Sequence, residues 1–204
     1  MLKLVRFERS TNVERVALAL AYKGLEVESI WIDPDDRSPV REISGQDLVP
    51  VLIDGEEVVP DSPAILEYLE ERFPDPPLYP AEPTRRAEVR VFIDWFNWAW
   101  KVPPSRITDE LEGGSPNPEV IARHTAWLQE RLDLFEQLLD GRDHLFGDFG
   151  AADCAAWPFV RYAAHIDADD PWLFHRVLHD HMQLDSRHPR LAGWIERVGA
   201  RPMV

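Results

Sequence analysis

The order of hydrophobic patterns predicts an α/β unit at residues 1–76, a linker at 77–83 and an all-helical unit at 84–204. Three observations carry this expectation. Strand, helix and strand patterns follow one another within about thirty residues, the size of a right-handed crossover with parallel strands. A hairpin signal and a helix come next. A proline-rich stretch, Phe73-Pro74-Asp75-Pro76-Pro77-Leu78-Tyr79-Pro80, then separates them from a remainder in which every periodic segment is helical.

Taken in order, residues 2–7 read as a strand, and Glu8-Arg9-Ser10-Thr11-Asn12 turns into a helix whose face is Val13, Val16, Ala17, Leu20 and Ala21. Gly24 suits a left-handed stop, and residues 25–32 read as the second strand. Residues 33–46 are polar and hold Pro34 and Pro39, so only a short helix near Val40 is expected there. In Leu48-Val49-Pro50-Val51-Leu52-Ile53-Asp54-Gly55 the proline opens a strand, and Asp54-Gly55 is a hairpin signal that pairs 51–53 with 56–59. A cis Val49-Pro50 bond would turn the N–H and C=O of Val49 outward, where an extended peptide pairs as one more strand; the alternative is a proline that merely begins an edge strand. Ser62 reads as the N-cap of the closing helix, with Pro63 at its first position and Ile65, Leu66, Leu69 and Phe73 buried. This β-α-β, β-β-α order is that of a thioredoxin-like domain.

The four prolines between Pro74 and Pro80 favour an extended spacer. Beyond it, Ala87, Val91, Phe92, Trp95, Phe96 and Ala99 mark one helical face, widened by Trp98 and Trp100, and Pro103-Pro104 reads as its end. Gly113-Gly114-Ser115-Pro116 reads as a loop, and Asn117-Pro118 restarts a helix with the seam Ile121, Thr125, Leu128, Leu132, Phe135 and Leu139. Three more helices are expected near 151–164, 172–181 and 188–198, making the second unit a helical bundle.

Composition narrows the functional classes. With 22 basic against 37 acidic residues, the formal charge of −15 disfavours nucleic acid and anionic membrane surfaces as partners. One cysteine, Cys154, rules out an internal disulfide or a cysteine-rich zinc module and fits a reducing compartment. No apolar run has the length of a signal peptide or a membrane span, so a cytoplasmic location is expected. His175 and His179 have the i, i+4 spacing of a helical metal pair, with His181, Asp180 and Asp185 nearby, but no glutamate follows His175 in the manner of a zinc protease, and no metal site is expected.

Over nearly its whole length the chain resembles a cytosolic glutathione transferase of the serine type. The resemblance rests on Ser10-Thr11-Asn12-Val13-Glu14-Arg15-Val16, Tyr22-Lys23-Gly24-Leu25, Ser44-Gly45-Gln46 before Val49-Pro50, and Asp61-Ser62. It implies that glutathione is the co-substrate, that the Val49 backbone before Pro50 pairs with the cysteinyl part, and that Asp61 and Ser62 hold the ammonium and carboxylate of the γ-glutamyl end. Elementary chemistry agrees, since a helix N-terminus offers unpaired N–H groups to a carboxylate and an adjacent carboxylate pairs with an amine; an ordinary helix cap needs the same residues. Gln46 is a candidate contact for the glycyl end, or equally an exposed turn residue.

A free thiol with a pKa of about 8.5 is mostly protonated at neutral pH, so catalysis gains from a hydroxyl donor and a helix N-terminus beside the sulfur. The resemblance places that hydroxyl at Ser10, with Thr11 and Asn12 as close rivals; a capping serine would occupy the same place. Phe7 stands where a tyrosine-type enzyme needs its tyrosine, and no cysteine stands at the Ser10 position, where cysteine-type members carry theirs, which weakens thiol-disulfide and dehydroascorbate chemistry. A small hydrophobic electrophile is expected against Trp95, Phe96 and Trp98, residues whose spacing also suits a core. The run Ala17-Leu18-Ala19-Leu20-Ala21-Tyr22-Lys23-Gly24-Leu25 is similar to the zeta-type isomerases of maleyl acids. In Phe149-Gly150-Ala151-Ala152-Asp153 a glycine replaces the Ser or Thr of the family's capping box, and Cys154 suits a small apolar role. The expected enzyme conjugates glutathione to an electrophile, or uses it for isomerisation, as a homodimer. The alternatives are a non-catalytic interaction protein of the stringent-starvation kind and a transferase that uses another low-molecular-weight thiol.

Overall fold

A computed structural model describes residues 1–204. Two compact units are present: Met1–Arg86 together with Arg201–Val204, and Ala87–Ala200. The first holds β1 (Leu2–Arg6), α1 (Thr11–Tyr22), β2 (Val27–Trp31), α2 (Ser38–Ser44), β3 (Val51–Asp54), β4 (Glu57–Pro60) and α3 (Ser62–Arg72). The sheet order is β2-β1-β3-β4, with β1 and β2 parallel and the other pairs antiparallel, so the crossover and the hairpin form as expected. In the central strands Leu4, Val5, Val51 and Leu52 are all fully buried, which means that both faces of the sheet middle are covered.

α1 is buried beyond a single stripe, because Arg15, Leu18 and Ala19 are enclosed along with the expected Val13, Val16, Ala17 and Leu20. Gly24, at φ 65°, ends it in the left-handed region, where a glycine carries no Cβ penalty. α2 is longer than the sequence suggested, seven residues closed by Gly45 at φ 74°. The start of α3 requires a correction. Asp61, not Ser62, is the N-cap residue; Ser62 is the first helical residue, and Pro63 follows inside the first turn.

The proline stretch is not a free spacer, since Leu78 and Tyr79 are buried. The buried Lys23 Nζ donates to the carbonyls of Phe73 (2.7 Å) and Pro76 (2.8 Å) and lies 3.3 Å from Glu70 Oε2. Glu70 in turn accepts from Leu78 N at 2.7 Å and from Arg86 Nη2 at 3.1 Å. One buried ion pair thus ties the ends of α1 and α3 to the stretch that leaves them.

The division between the units falls within α4 (Pro83–Trp95), which runs into a π-helical turn at Phe96–Trp100. α5 (Val102–Glu112), α6 (Pro118–Leu138), α7 (Ala151–Val160), a 3-10 turn at Arg161–Ala163, α8 (Leu173–His181) and α9 (Pro189–Gly199) complete the second unit. Two expectations change here. The buried seam of α4 is Val89, Phe92, Ile93, Phe96 and Trp100, while Val91 faces outward. Pro103 and Pro104, read from the sequence as the end of the preceding helix, lie in the first turn of α5, where missing N–H groups cost nothing, so they open a helix. Asn117 caps α6 through its side chain, which accepts from Glu119 N at 3.0 Å, and Leu128, Leu132, Phe135 and Leu139 form the expected seam.

At the start of α7, Asp153 makes the one half of the capping box that a glycine cap permits, accepting from Gly150 N at 3.0 Å. It also accepts from Leu145 N (3.1 Å) and Trp194 Nε1 (2.7 Å). Burial pushes its carboxyl upward, against the pull of those donors and of His144. His175 is buried with Asp170 (2.9 Å) and the Tyr162 hydroxyl (2.9 Å), a polar cluster inside the unit. Cys154 is a buried free thiol. No helix is long and apolar enough to cross a membrane.

Candidate functional site

Ser10 is the N-cap of α1, with extended backbone at φ −75° and ψ 113°, and only 9% of its surface is exposed. Its Oγ accepts from Val13 N at 3.4 Å. Because the hydroxyl is used there as an acceptor, its own proton is available to an anion placed beside the first turn, where the helix dipole adds partial positive charge. Thr11 and Asn12 are already the first two helical residues, Thr11 buried and Asn12 half-buried.

The Val49-Pro50 bond is cis, both residues are buried, and β3 begins at the next residue. Gln46 spends its amide locally: Nε2 donates to Leu48 O and Leu48 N donates to Oε1, both at 2.6 Å, which shapes the turn leading to Val49. Asp61 is exposed and stands at φ 71° and ψ 128°, a conformation that a residue with a Cβ rarely adopts, and its side chain does not cap α3. Such a residue is held there by its surroundings at a cost of order 1–3 kcal/mol.

Ser62 is buried and accepts from Arg15 Nη1 at 3.4 Å. Sequence reasoning passed over Arg15, although its side chain is fully enclosed. The available signal was its position, three and four residues before Leu18 and Ala19 on a helix face that must be interior. A guanidinium only donates, so the bond fixes Ser62 Oγ as the acceptor and leaves its O–H to donate elsewhere.

A cavity of about 300 Å³ opens beside Ser10 in the first unit. Arg6, Phe7, Glu8 and Arg9 line it from the β1–α1 segment, Val13, Glu14 and Ala17 from α1, Trp31 from the end of β2, and Met203 from the terminal segment. Of the sequence-predicted site residues only Ser10 lines it; Thr11 and Asn12 do not, nor do Gln46, Val49, Pro50, Asp61 and Ser62.

Of the aromatic residues expected to receive an electrophile, Trp95 and Phe96 meet, with ring centroids 6.4 Å apart and Phe92 and Phe135 as shared neighbours, whereas Trp98 stands apart. Phe96 is fully buried and stacks on Trp100 with ring centroids 4.4 Å apart, inside the core of the second unit. Trp95 is half-buried against Phe92 and Phe135, and Trp98 is 82% exposed. Trp98 lies two positions beyond Phe96, and so on the other side of the helix, within the π-helical turn.

Comparisons with known proteins bear on this site. The profile of the glutathione S-transferase N-terminal domain matches residues 4–77, and that of the C-terminal domain matches residues 118–197. The chain is 31% identical to a maleylacetoacetate isomerase from Pseudomonas aeruginosa, over 83% of this chain and 92% of that protein. It is also 31% identical to a maleylpyruvate isomerase from Ralstonia sp., over 82% and 85% respectively. Among solved structures, a glutathione S-transferase from Rhodospirillum rubrum F11 matches with a TM-score of 0.75 and 28% identity, covering 99% of this chain and 89% of that one.

Proposed function

Because this chain belongs to the glutathione S-transferase family, we propose that it binds glutathione along the first unit and uses Ser10 to hold the sulfur as a thiolate for attack on an electrophilic carbon. The observation that carries this reading is the Ser10 hydroxyl at the N-cap of α1, engaged as an acceptor, with its proton free and a cavity beside it. That placement favours Ser10 over Thr11 and Asn12. The Val49 backbone before Pro50 takes the cysteinyl part, Asp61 the γ-glutamyl ammonium, and Ser62 with the first N–H groups of α3 its carboxylate. The turn closed by Gln46 offers backbone to the glycyl end.

The chemistry follows from the charges. The cysteine proton leaves to solvent, and the thiolate is stabilised by the Ser10 O–H and the α1 dipole. In conjugation, a C–S bond forms as a leaving group departs or as a proton from solvent reaches the adjacent carbon. In isomerisation, the thiolate adds to a double bond, the resulting single bond rotates, and the thiolate is expelled as the double bond re-forms. The two isomerases among its relatives favour this second course. The co-substrate has an apolar body, consistent with Phe7, Val13, Trp31 and Met203 in the cavity. Homodimerisation belongs to the same proposal and rests on membership of the family. The lone thiol Cys154 suits a cytoplasmic setting.

Calorimetric titration of glutathione into the wild type and Ser62→Ala tests this reading. Binding that weakens about tenfold or more in the variant, the effect of losing one hydrogen bond to a charged group, is expected. No binding to the wild type at millimolar glutathione would refute it.

A further inference from the structure

We infer that Met203 is the adjustable wall of the cavity beside Ser10, the one that closes on the body of a co-substrate, and that Arg6 acts on this cavity through Met203, by latching the segment Arg201–Val204 to β2. This deepens the reading above and rests on it, since Ser10 is where that reading places the sulfur.

The walls of the cavity differ in kind. Nine of its ten lining residues lie between Arg6 and Trp31, on β1, α1, β2 and the turn that joins the first two. Sheet pairing and burial fix these walls: Arg6 and Trp31 are partners in the β1–β2 register, and Val13 and Ala17 are each 2% exposed. Met203 is the exception. It follows α9 in a segment that belongs to no helix or strand yet groups with the first unit, and it is 45% exposed. An unbranched thioether with three rotatable bonds takes the shape of what it meets, as a wall that must fit a ligand requires.

Arg6 holds that segment. Its Nη1 donates to Val204 O at 2.8 Å and to Ser29 Oγ at 3.5 Å, while the guanidinium stacks 4.4 Å from the Trp31 ring centroid. The cation is thus anchored on two residues of β2 and grips the residue next to Met203. On the other side of Met203, the Arg201 guanidinium lies 5.8 Å from the ring centroid of Tyr22, the last residue of α1. A guanidinium donor makes the bond to Val204 charge-assisted, the stronger class of hydrogen bond, and its planar face suits the stack on Trp31. Arg6 is therefore a positioning residue: it fixes where Met203 stands, and Met203 meets the ligand.

Calorimetry with S-methylglutathione and S-hexylglutathione tests this, the quantity read being the ratio of the two affinities. The wild type is expected to bind the hexyl derivative about tenfold or more tighter, the effect of partly burying the longer chain. In Met203→Ala the ratio should fall by about threefold or more, because the thioether that covers the chain is gone. Arg6→Met should lower it likewise, Arg6→Lys, which keeps a charged donor, should retain most of it, and Arg6→Met should add nothing in the Met203→Ala background. Equal binding of the two derivatives by the wild type, an unchanged ratio in Met203→Ala or Arg6→Met, or losses that add in full in the double variant overturn the inference. If Arg6→Met does not fold, Arg6→Gln, too short to keep the bond to Val204 O, is read in the same way. Failure of the wild type to bind even S-methylglutathione is a different result; it refutes the glutathione reading and this inference with it.

Discussion

Asp61 caps α3 through its backbone carbonyl, which accepts from Ile65 N at 3.0 Å, but its side chain makes no cap hydrogen bond, and its proposed role is to pair with the γ-glutamyl ammonium. Replacing it by glycine, which adopts positive φ freely, should stabilise the first unit by about 1 kcal/mol while weakening glutathione binding. Thermal melts and calorimetry on Asp61→Gly check both signs; stabilisation with unchanged affinity would remove Asp61 from the site. Arg15 and Ser62 should behave as a coupled pair. Arg15→Met and Ser62→Ala are expected to be non-additive in glutathione affinity by about 0.5–3 kcal/mol, whereas strictly additive losses would make Arg15 a structural residue only. The residue scale is also where the sequence was least readable. The Ser10 position is legible because a cap and an apolar periodicity announce it together. Arg15 is not, because a charged side chain carries no mark of burial, and the N-cap of α3 is displaced by one residue because Asp61 and Ser62 are both good capping types.

Among the elements, the strands, the crossover helix and the hairpin follow local signals, alternation and turn residues that tertiary contacts reinforce. The aromatic helix does not. Trp95 and Phe96 share an aromatic cluster with Phe92 and Phe135 that serves as core, and Trp98 is left exposed on the π-helical turn. The proline stretch is likewise held by something composition does not reveal, the buried Lys23–Glu70 pair. Lys23→Met should lower stability by about 2–4 kcal/mol, since it strips two carbonyls and a buried carboxylate of a donor while Arg86 still serves Glu70. Urea unfolding measures this, and a change below about 0.5 kcal/mol would show that the tie is incidental.

At the scale of the whole molecule, stability should decline on the acid side. Burial lowers the pKa of His181, whose Nδ1 lies 2.6 Å from Thr125 Oγ1, and also that of His124. A histidine depressed in the folded state contributes stability above its unfolded pKa of about 6.5, and the contribution is lost as pH falls below that value towards the folded one. His181→Asn should therefore flatten the loss of stability between neutral and mildly acid pH relative to the wild type; an identical profile would show that His181 does not report on folding. The cavity beside Ser10 belongs to this scale too. Its walls come from β1, α1, the end of β2 and residue 203, segments brought together only by folding, and no linear motif marks Arg6 or Trp31 as partners.

The thiol pKa of bound glutathione, followed by ultraviolet thiolate absorbance in the wild type and in Ser10→Ala, Thr11→Ala and Asn12→Ala, tests the central claim most directly. The expected result is a value below the free thiol's, about 8.5, in the wild type, which returns towards it in Ser10→Ala and stays low in the other two. A wild-type value equal to that of free glutathione, or a loss that follows Thr11 or Asn12 instead, would contradict the assignment of Ser10.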